Sequence, residues 1–278
     1  MSASIMKPLP ASQLHLAKPS TGVVDSNWKP VYWVGGVSAL LMIVTIVAAI
    51  SVFIVSPPPT TVLNWFTLFH ENGLLGLLDM DLLMLVGIAL SGLIYIALYG
   101  ALRRSNQPIM LLGMIIGLVG ITTYLSSNTA FNMLSLSSQY AAASTDAERA
   151  QLLGAGKAML AIWQGSAYDV GYVLGGIAML IIAVVMLRSA VFSKATGWVG
   201  LLVGVLMLIP ATAGTVGLVF SLLSLVPTMI WSILIAHRLF QLARDVSPKE
   251  AQGVSANSSG HGYMPTGDDL APTIHGGD

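Results

Sequence analysis

Long runs without a charged residue alternate with short polar segments along most of the chain, and the lengths of the runs point to a bilayer. A helix rises about 1.5 Å per residue and the hydrocarbon layer is about 30 Å thick, so about 20 apolar residues make one crossing. Val31 to Val55 is such a run, closed by Ser56-Pro57-Pro58-Pro59, whose prolines lack amide hydrogens and end the helix. Its apolar stretch is too long for a signal peptide, so it is predicted to be retained as the first span. Leu82 to Leu102 and Ile109 to Leu125 are predicted as the second and third, joined by the tight basic turn Arg103-Arg104-Ser105-Asn106-Gln107-Pro108. The fourth runs from Tyr168 to Leu187, with Tyr168 and Trp163 at the level of an interfacial aromatic belt. Ala195 to Ala236 then carries no charge. As one helix that stretch would be about 63 Å long, so it is predicted to turn back at Pro210-Ala211-Thr212-Ala213-Gly214. Spans five and six are then Thr196 to Pro210 and Thr215 to His237.

The basic residues give the threading, because Lys and Arg are retained on the cytoplasmic side during insertion. Six crossings place Lys7, Lys18, Lys29, Arg103, Arg104, Arg188, Lys194, Arg238, Arg244 and Lys249 on one side, against Arg149 and Lys157 on the other. A single crossing over 195–236 would move Arg238, Arg244 and Lys249 across and blur that contrast. The expected fold is therefore an all-α integral membrane protein with six transmembrane helices and both termini cytoplasmic. Residues 31–242 form the membrane domain, with 61–78 and 144–164 as outer interfacial segments and 1–30 and 243–278 as disordered cytoplasmic tails. The first outer segment holds Val62, Leu63, Trp65, Phe66, Leu68 and Phe69 and is expected to lie along the membrane surface, ending in a left-handed turn at Gly73. In the second, Thr145-Asp146-Ala147-Glu148 has the spacing of a reciprocal helix cap.

Composition agrees with that reading and removes several functions. With 55% hydrophobic and 9% charged residues and a mean hydropathy of +0.80, the chain suits lipid and not water. A net charge of zero gives nucleic acid no basic surface, and no nucleic-acid partner is expected. The absence of cysteine excludes disulfides, thiolate zinc sites and cysteine-ligated clusters. No lysine falls within a predicted span and the one histidine at a span, His237, is at its cytoplasmic boundary, so a buried bis-histidine haem and a retinal Schiff base lack their residues, and no cofactor is expected. His261 and His275 lie in the expected tail and receive no role. Phosphate-binding glycine loops and paired-histidine metalloprotease helices are also absent.

Carboxylates within or beside a span are costly, which singles out Asp169 at the outer end of span four and Asp79 and Asp81 before span two. With Tyr172 and Asn128 they make up the candidate polar or ion site, with no metal assigned to it. Two residues apart on a helix means about 200° of rotation, so Asp79 and Asp81 cannot share a pocket if that turn is helical. Capping of helix ends and pairing with neighbouring Tyr, Asn and Ser is the favoured reading of these acids, ahead of a functional site. Gly165, Asp169, Tyr172 and Gly176 share one face of span four while Gly171 and Gly175 lie nearly opposite, which suits a central helix packed on two sides. Ser221, Ser224, Thr228 and Ser232 form a hydroxyl stripe on span six beside Pro227, read as interhelical hydrogen bonding or as the wall of a hydrated path. Gly113 with Gly117 and Gly200 with Gly204 have the small-xxx-small spacing of close helix packing.

From Asn64 to Leu242 the chain resembles an uncharacterised family of bacterial multi-pass membrane proteins catalogued as a domain of unknown function. The likeness is carried by Gly73-Leu74-Leu75-Gly76-Leu77-Leu78-Asp79-Met80-Asp81, Ser127-Asn128-Thr129-Ala130-Phe131, Trp163-Gln164-Gly165 with Tyr168-Asp169-Val170-Gly171-Tyr172, and Pro210-Ala211-Thr212-Ala213-Gly214. It implies a bacterial cytoplasmic-membrane protein and brings no activity to any residue. The function expected is that of a non-enzymatic subunit or sensor in the lipid bilayer, meeting a protein partner or a second copy of the chain through its outer helices. The alternative is a small transporter or channel in which outer carboxylates handle a cation or proton. A third reading, an intramembrane enzyme, requires Asp169, Tyr172 and Asn128 to converge.

Overall fold

The computed structural model describes residues 26–244. The expected tails, apart from residues 26–30 and 243–244, lie outside the described residues, as do His261 and His275. Among the described residues there is no strand. A 3₁₀ turn, Ser26–Trp28, leads into α1 (Lys29–Val55), followed by α2 (Val62–Glu71), α3 (Gly73–Asp79) and α4 (Leu82–Ser127). The rest of the described chain forms α5 (Ala130–Ala142), α6 (Asp146–Trp163), α7 (Ser166–Arg188), α8 (Lys194–Leu206) and α9 (Gly214–Arg244). Four helical stretches, Lys29–Val55, Leu82–Ala142, Asp146–Arg188 and Gly214–Arg244, are long and apolar enough to cross a membrane.

Helices α1, α4, α7, α8 and α9 form a closed ring in which α1 packs on α4, α4 on α7, α7 on α8, α8 on α9, and α9 back on α1. Helix α4 has 46 residues, which would extend about 69 Å if straight. It is not straight. Asn106 leaves helical geometry at φ −160° and ψ 88°, its side-chain oxygen accepts from the Ile109 amide, and Pro108 sits in the first turn beyond, where a missing N–H costs nothing. The arms on either side of Asn106 lie against each other, so that a methyl group added at Gly117 would strike the Tyr95 ring and one at Gly92 would touch Leu118 and Ile121. The basic turn at 103–108 is thus the bend between two antiparallel arms.

Helix α7 packs through the glycines on both of its faces. A Cβ at Gly171 would meet the Tyr124 amide nitrogen at 2.7 Å and the Gly120 carbonyl at 2.8 Å, while one at Gly176 would meet the Gly204 carbonyl at 3.1 Å. The outer surface of the ring is apolar, as along α9, where Val216, Leu222, Val226 and Ile233 are exposed. This inverts the soluble pattern and suits contact with hydrocarbon.

The chain segments at one end of the ring build a separate helical cap from α2, α3, α5 and α6. Its core holds Trp65, Phe66, Phe69, Met80, Ala130 and Met133. The aromatic face of α2 is buried there, with Trp65, Phe66 and Phe69 each 3% exposed or less. Helix α5 holds it in place, the Ser137 hydroxyl donating to the Phe66 carbonyl at 2.7 Å. The turn expected at Gly73 is corrected by the structure. The break is Asn72, whose side chain accepts from the Leu75 amide and starts α3, and Gly73 is already helical. The only glycine with positive φ among the described residues is Gly214, which starts α9. At α6, Thr145 accepts from the Glu148 amide as expected, but Glu148 reaches back to the Ser144 amide, one residue earlier than the usual reciprocal cap.

The fifth predicted span is shorter than its sequence suggested. Helix α8 ends at Leu206 after 13 residues, about 20 Å, and residues 207–213 continue without regular helix towards the cap end. There the Thr212 hydroxyl donates to the Asp169 carboxylate on α7.

Candidate functional site

The five sequence-selected residues all lie at the end of the ring that the cap covers. Asp79, the last residue of α3, is 0% exposed, and one of its oxygens accepts from the Ser56 hydroxyl at the end of α1, at 3.0 Å. Its other oxygen has no hydrogen-bond partner. Burial pushes the Asp79 carboxyl above the usual carboxylate range, opposed by the Ser56 hydrogen bond.

Asp81 is two residues on but has a different role. It is the one non-glycine residue at positive φ among the described residues, at 66°, a conformation Asp tolerates better than most side chains. The left-handed turn separates α3 from α4 and aims Asp81 at α6, where its Oδ2 accepts from Trp163 Nε1 at 3.0 Å. Burial pushes its carboxyl up to about 6, against the pull of the Trp163 N–H. The two acids therefore serve separate partners. Asn128 locks the same turn, donating to the Met80 carbonyl at 2.8 Å while its oxygen caps α5 at the Ala130 amide.

Asp169 faces the other way, to Thr212. Tyr172 joins a cluster in which the Tyr124 and Tyr168 rings are 5.1 Å apart and Tyr168 and Tyr172 stack at 6.1 Å with 11° between planes. Tyr124 and Tyr168 share a hydrogen bond, and both feel the charge of Asp81, while Tyr168 also feels that of Asp169. Tyr168 is thus the member of the cluster that feels both carboxylates. Asn128 contacts Met80 and Ala130, so no contact draws Asp169, Tyr172 and Asn128 together.

Beneath the tyrosines the ring helices line a partly open cavity of about 170 Å³. Its walls are mainly apolar, with Met42, Ile46, Met84, Met179, Val203 and Met207 contributed by four helices and the segment after α8. Ser221, Ser224 and Thr228 of the hydroxyl stripe supply a polar strip along α9, and Tyr95, Tyr124, Tyr168 and Tyr172 lie along α4 and α7. The stripe's hydroxyls do not bond to a neighbouring helix. Ser224 donates to the Ser221 carbonyl, Thr228 to the Ser224 carbonyl and Ser232 to the Thr228 carbonyl, each within α9. Trp231 also lines the cavity; its Nε1 is buried without a partner and lies against Gly200 of α8.

The family model Domain of unknown function (DUF4386) matches residues 34–249, most of the ring and all of the cap. The chain belongs to the DUF4386 family. No curated protein and no solved structure matches it. The part of this DUF4386 chain that sequence reasoning missed is the cavity itself. Tyr95, Tyr124 and Trp231 carry polar atoms inside long apolar runs, which is the one signal available, but tyrosine and tryptophan near membrane interfaces are common and the signal stays mute until the helices are placed. Trp163 as the partner of Asp81 was equally hidden, the two residues being 82 positions apart.

Proposed function

We propose that this protein crosses the bacterial cytoplasmic membrane six times with both termini in the cytoplasm, and works as a non-enzymatic sensor or subunit whose ring binds a small ligand beneath the cap. The charge distribution supports the threading. Among the described residues Lys29, Arg103, Arg104, Arg188, Lys194, Arg238 and Arg244 gather at the end away from the cap, while every described acid, Glu71, Asp79, Asp81, Asp146, Glu148 and Asp169, gathers at the cap end with Arg149 and Lys157. The two arms of α4 count as two crossings, and α8 with residues 207–213 counts as one.

The observation that carries the functional reading is the cavity, because a closed ring of packed helices has few voids unless something fills them. An apolar cavity of about 150 Å³ is enough for a benzene-sized guest. Asp81 is held by Trp163 of the cap and acts on Tyr124 and Tyr168 of the cavity, which links occupancy to cap position, and the cap faces a protein partner or a second copy of the chain.

The test is a thermal-stability screen of the full chain in nanodiscs against small apolar amphiphiles. The expected result is a rise in Tm for a subset of them that disappears in Ser224→Leu and, independently, in Met207→Phe, both of which fill the cavity. No rise for any compound, or a rise equal in both filled variants, contradicts it.

A second reading, a small cation or proton transporter, is favoured by Asp81 and Asp169 both acting on Tyr168. It expects flux in proteoliposomes that falls in Asp169→Asn, and an absence of flux discards it.

A further inference from the structure

The cavity wall carries donors in the Trp231 Nε1–H and the tyrosine hydroxyls, while its charge and π-electron character is one-sided. Ser91, Ser224 and Thr228 donate their hydroxyl hydrogens to carbonyls of their own helices, at 2.6, 2.7 and 2.7 Å, so the face they turn to the cavity offers lone pairs alone. No Lys, Arg or His is among the lining residues. Tyr168, which lines the cavity, feels the negative charge of both Asp81 and Asp169. The tyrosine rings at the cap end add the negative faces of their π systems. All of these favour positive charge and disfavour an anion.

An inorganic cation is a poor match, because it needs several oxygen ligands around one point. The two carboxylates are committed to separate partners, Trp163 and Thr212, and no group of three or more metal-ligating side chains exists among the described residues. The remaining walls are mostly methionine, isoleucine, leucine and valine, with Gly87, Ser221 and Trp231. They suit an apolar body.

We propose that the cavity binds a lipophilic organic cation, an ammonium group on an apolar body of single-ring size, with the charge against Tyr124, Tyr168 and Tyr172 and the body among the methionines. The inference rests on the cavity being a ligand site and names the class of ligand it takes. Ammonium groups over aromatic faces are held electrostatically, most strongly where water is excluded.

A pair of isosteres separates charge from shape. Phenyltrimethylammonium and tert-butylbenzene have the same outline and differ in one nucleus and one charge. Binding of each to the full chain in nanodiscs is measured by tryptophan fluorescence and by calorimetry. The cation is expected to bind about tenfold or more tightly than the hydrocarbon. Tyr172→Leu and Asp81→Asn are expected to weaken the cation by several-fold and leave the hydrocarbon unchanged, while Tyr172→Phe, which keeps the ring, retains cation binding. Equal affinity for the two compounds, or cation binding indifferent to Tyr172→Leu, overturns the ligand class while leaving the cavity as a site for neutral molecules. Binding of neither compound, or binding that persists in both Ser224→Leu and Met207→Phe, overturns the cavity site as well.

Discussion

Asp81 shows how one residue joins backbone, packing and charge. Its left-handed backbone makes the corner between α3 and α4, and its carboxylate ties that corner to Trp163 of α6. Its folded pKa of about 6 is above the model-peptide value of 3.8, so the native state holds a proton more firmly than the unfolded chain does. That makes the contribution of Asp81 to stability most favourable below pH 4 and progressively lost as the pH rises through 6. The groups that face it are Trp163, Tyr124 and Tyr168, none of which titrates in that window. Asp81→Asn keeps a residue that tolerates the left-handed turn and an oxygen for Trp163, without the charge. The variant is expected to be more stable than the parent at pH 7.5, by up to about 3 kcal/mol, and close to it at pH 4, as read from reversible unfolding in mixed micelles at the two pH values. A parent that gains stability relative to Asp81→Asn as pH rises contradicts this account. That Asp81 merited attention was legible in the sequence from the cost of a carboxylate beside a span. Its partner was not, because a hydrogen bond across 82 positions leaves no local pattern.

At the scale of the element, the glycines divide into those that meet backbone and those that meet nothing. Gly171 lies against the backbone of α4, which cannot swing aside as a side chain can. Gly171→Ala is expected to part α7 from α4 and cost about 1–3 kcal/mol. Gly154, in the exposed part of α6, has nothing within 4 Å of an added Cβ. Gly154→Ala is expected to stabilise by up to about 1 kcal/mol, because alanine is the better helix former. Unfolding midpoints of the two variants moving in the same direction would remove the distinction. The α4 bend was legible because Asn106 and Pro108 are local signals that need no tertiary partner. Helix α5 was not, since Ser135, Ser137, Ser138 and Gln139 dilute its apolar period and its buried face exists only because α2 packs on it. The early end of α8 at Leu206 also escaped, as residues 201–208 are as apolar as the helix before them.

The whole molecule has a polarity that neither scale alone explains. A ring of apolar helices has basic residues at one end and a helical cap with every described acid at the other, and the cavity lies between them, nearer the acids. The length of the apolar runs was enough to anticipate an all-helical chain with membrane-length helices, whereas the closed ring, the cap's own core and the cavity come from packing between distant segments. The central claim is that the ring threads the membrane six times with the cap outside. The chain has no cysteine, so single cysteines can be placed at will. Labelling with a membrane-impermeant maleimide in intact cells measures the threading directly, using cysteines at Ser105 and Ala190 for the basic end and at Gly154 for the cap. The account predicts that Gly154→Cys is labelled from outside and that Ser105→Cys and Ala190→Cys are labelled only after permeabilisation. Labelling of Ser105→Cys and Gly154→Cys from the same side, or opposite behaviour of Ser105→Cys and Ala190→Cys, contradicts it.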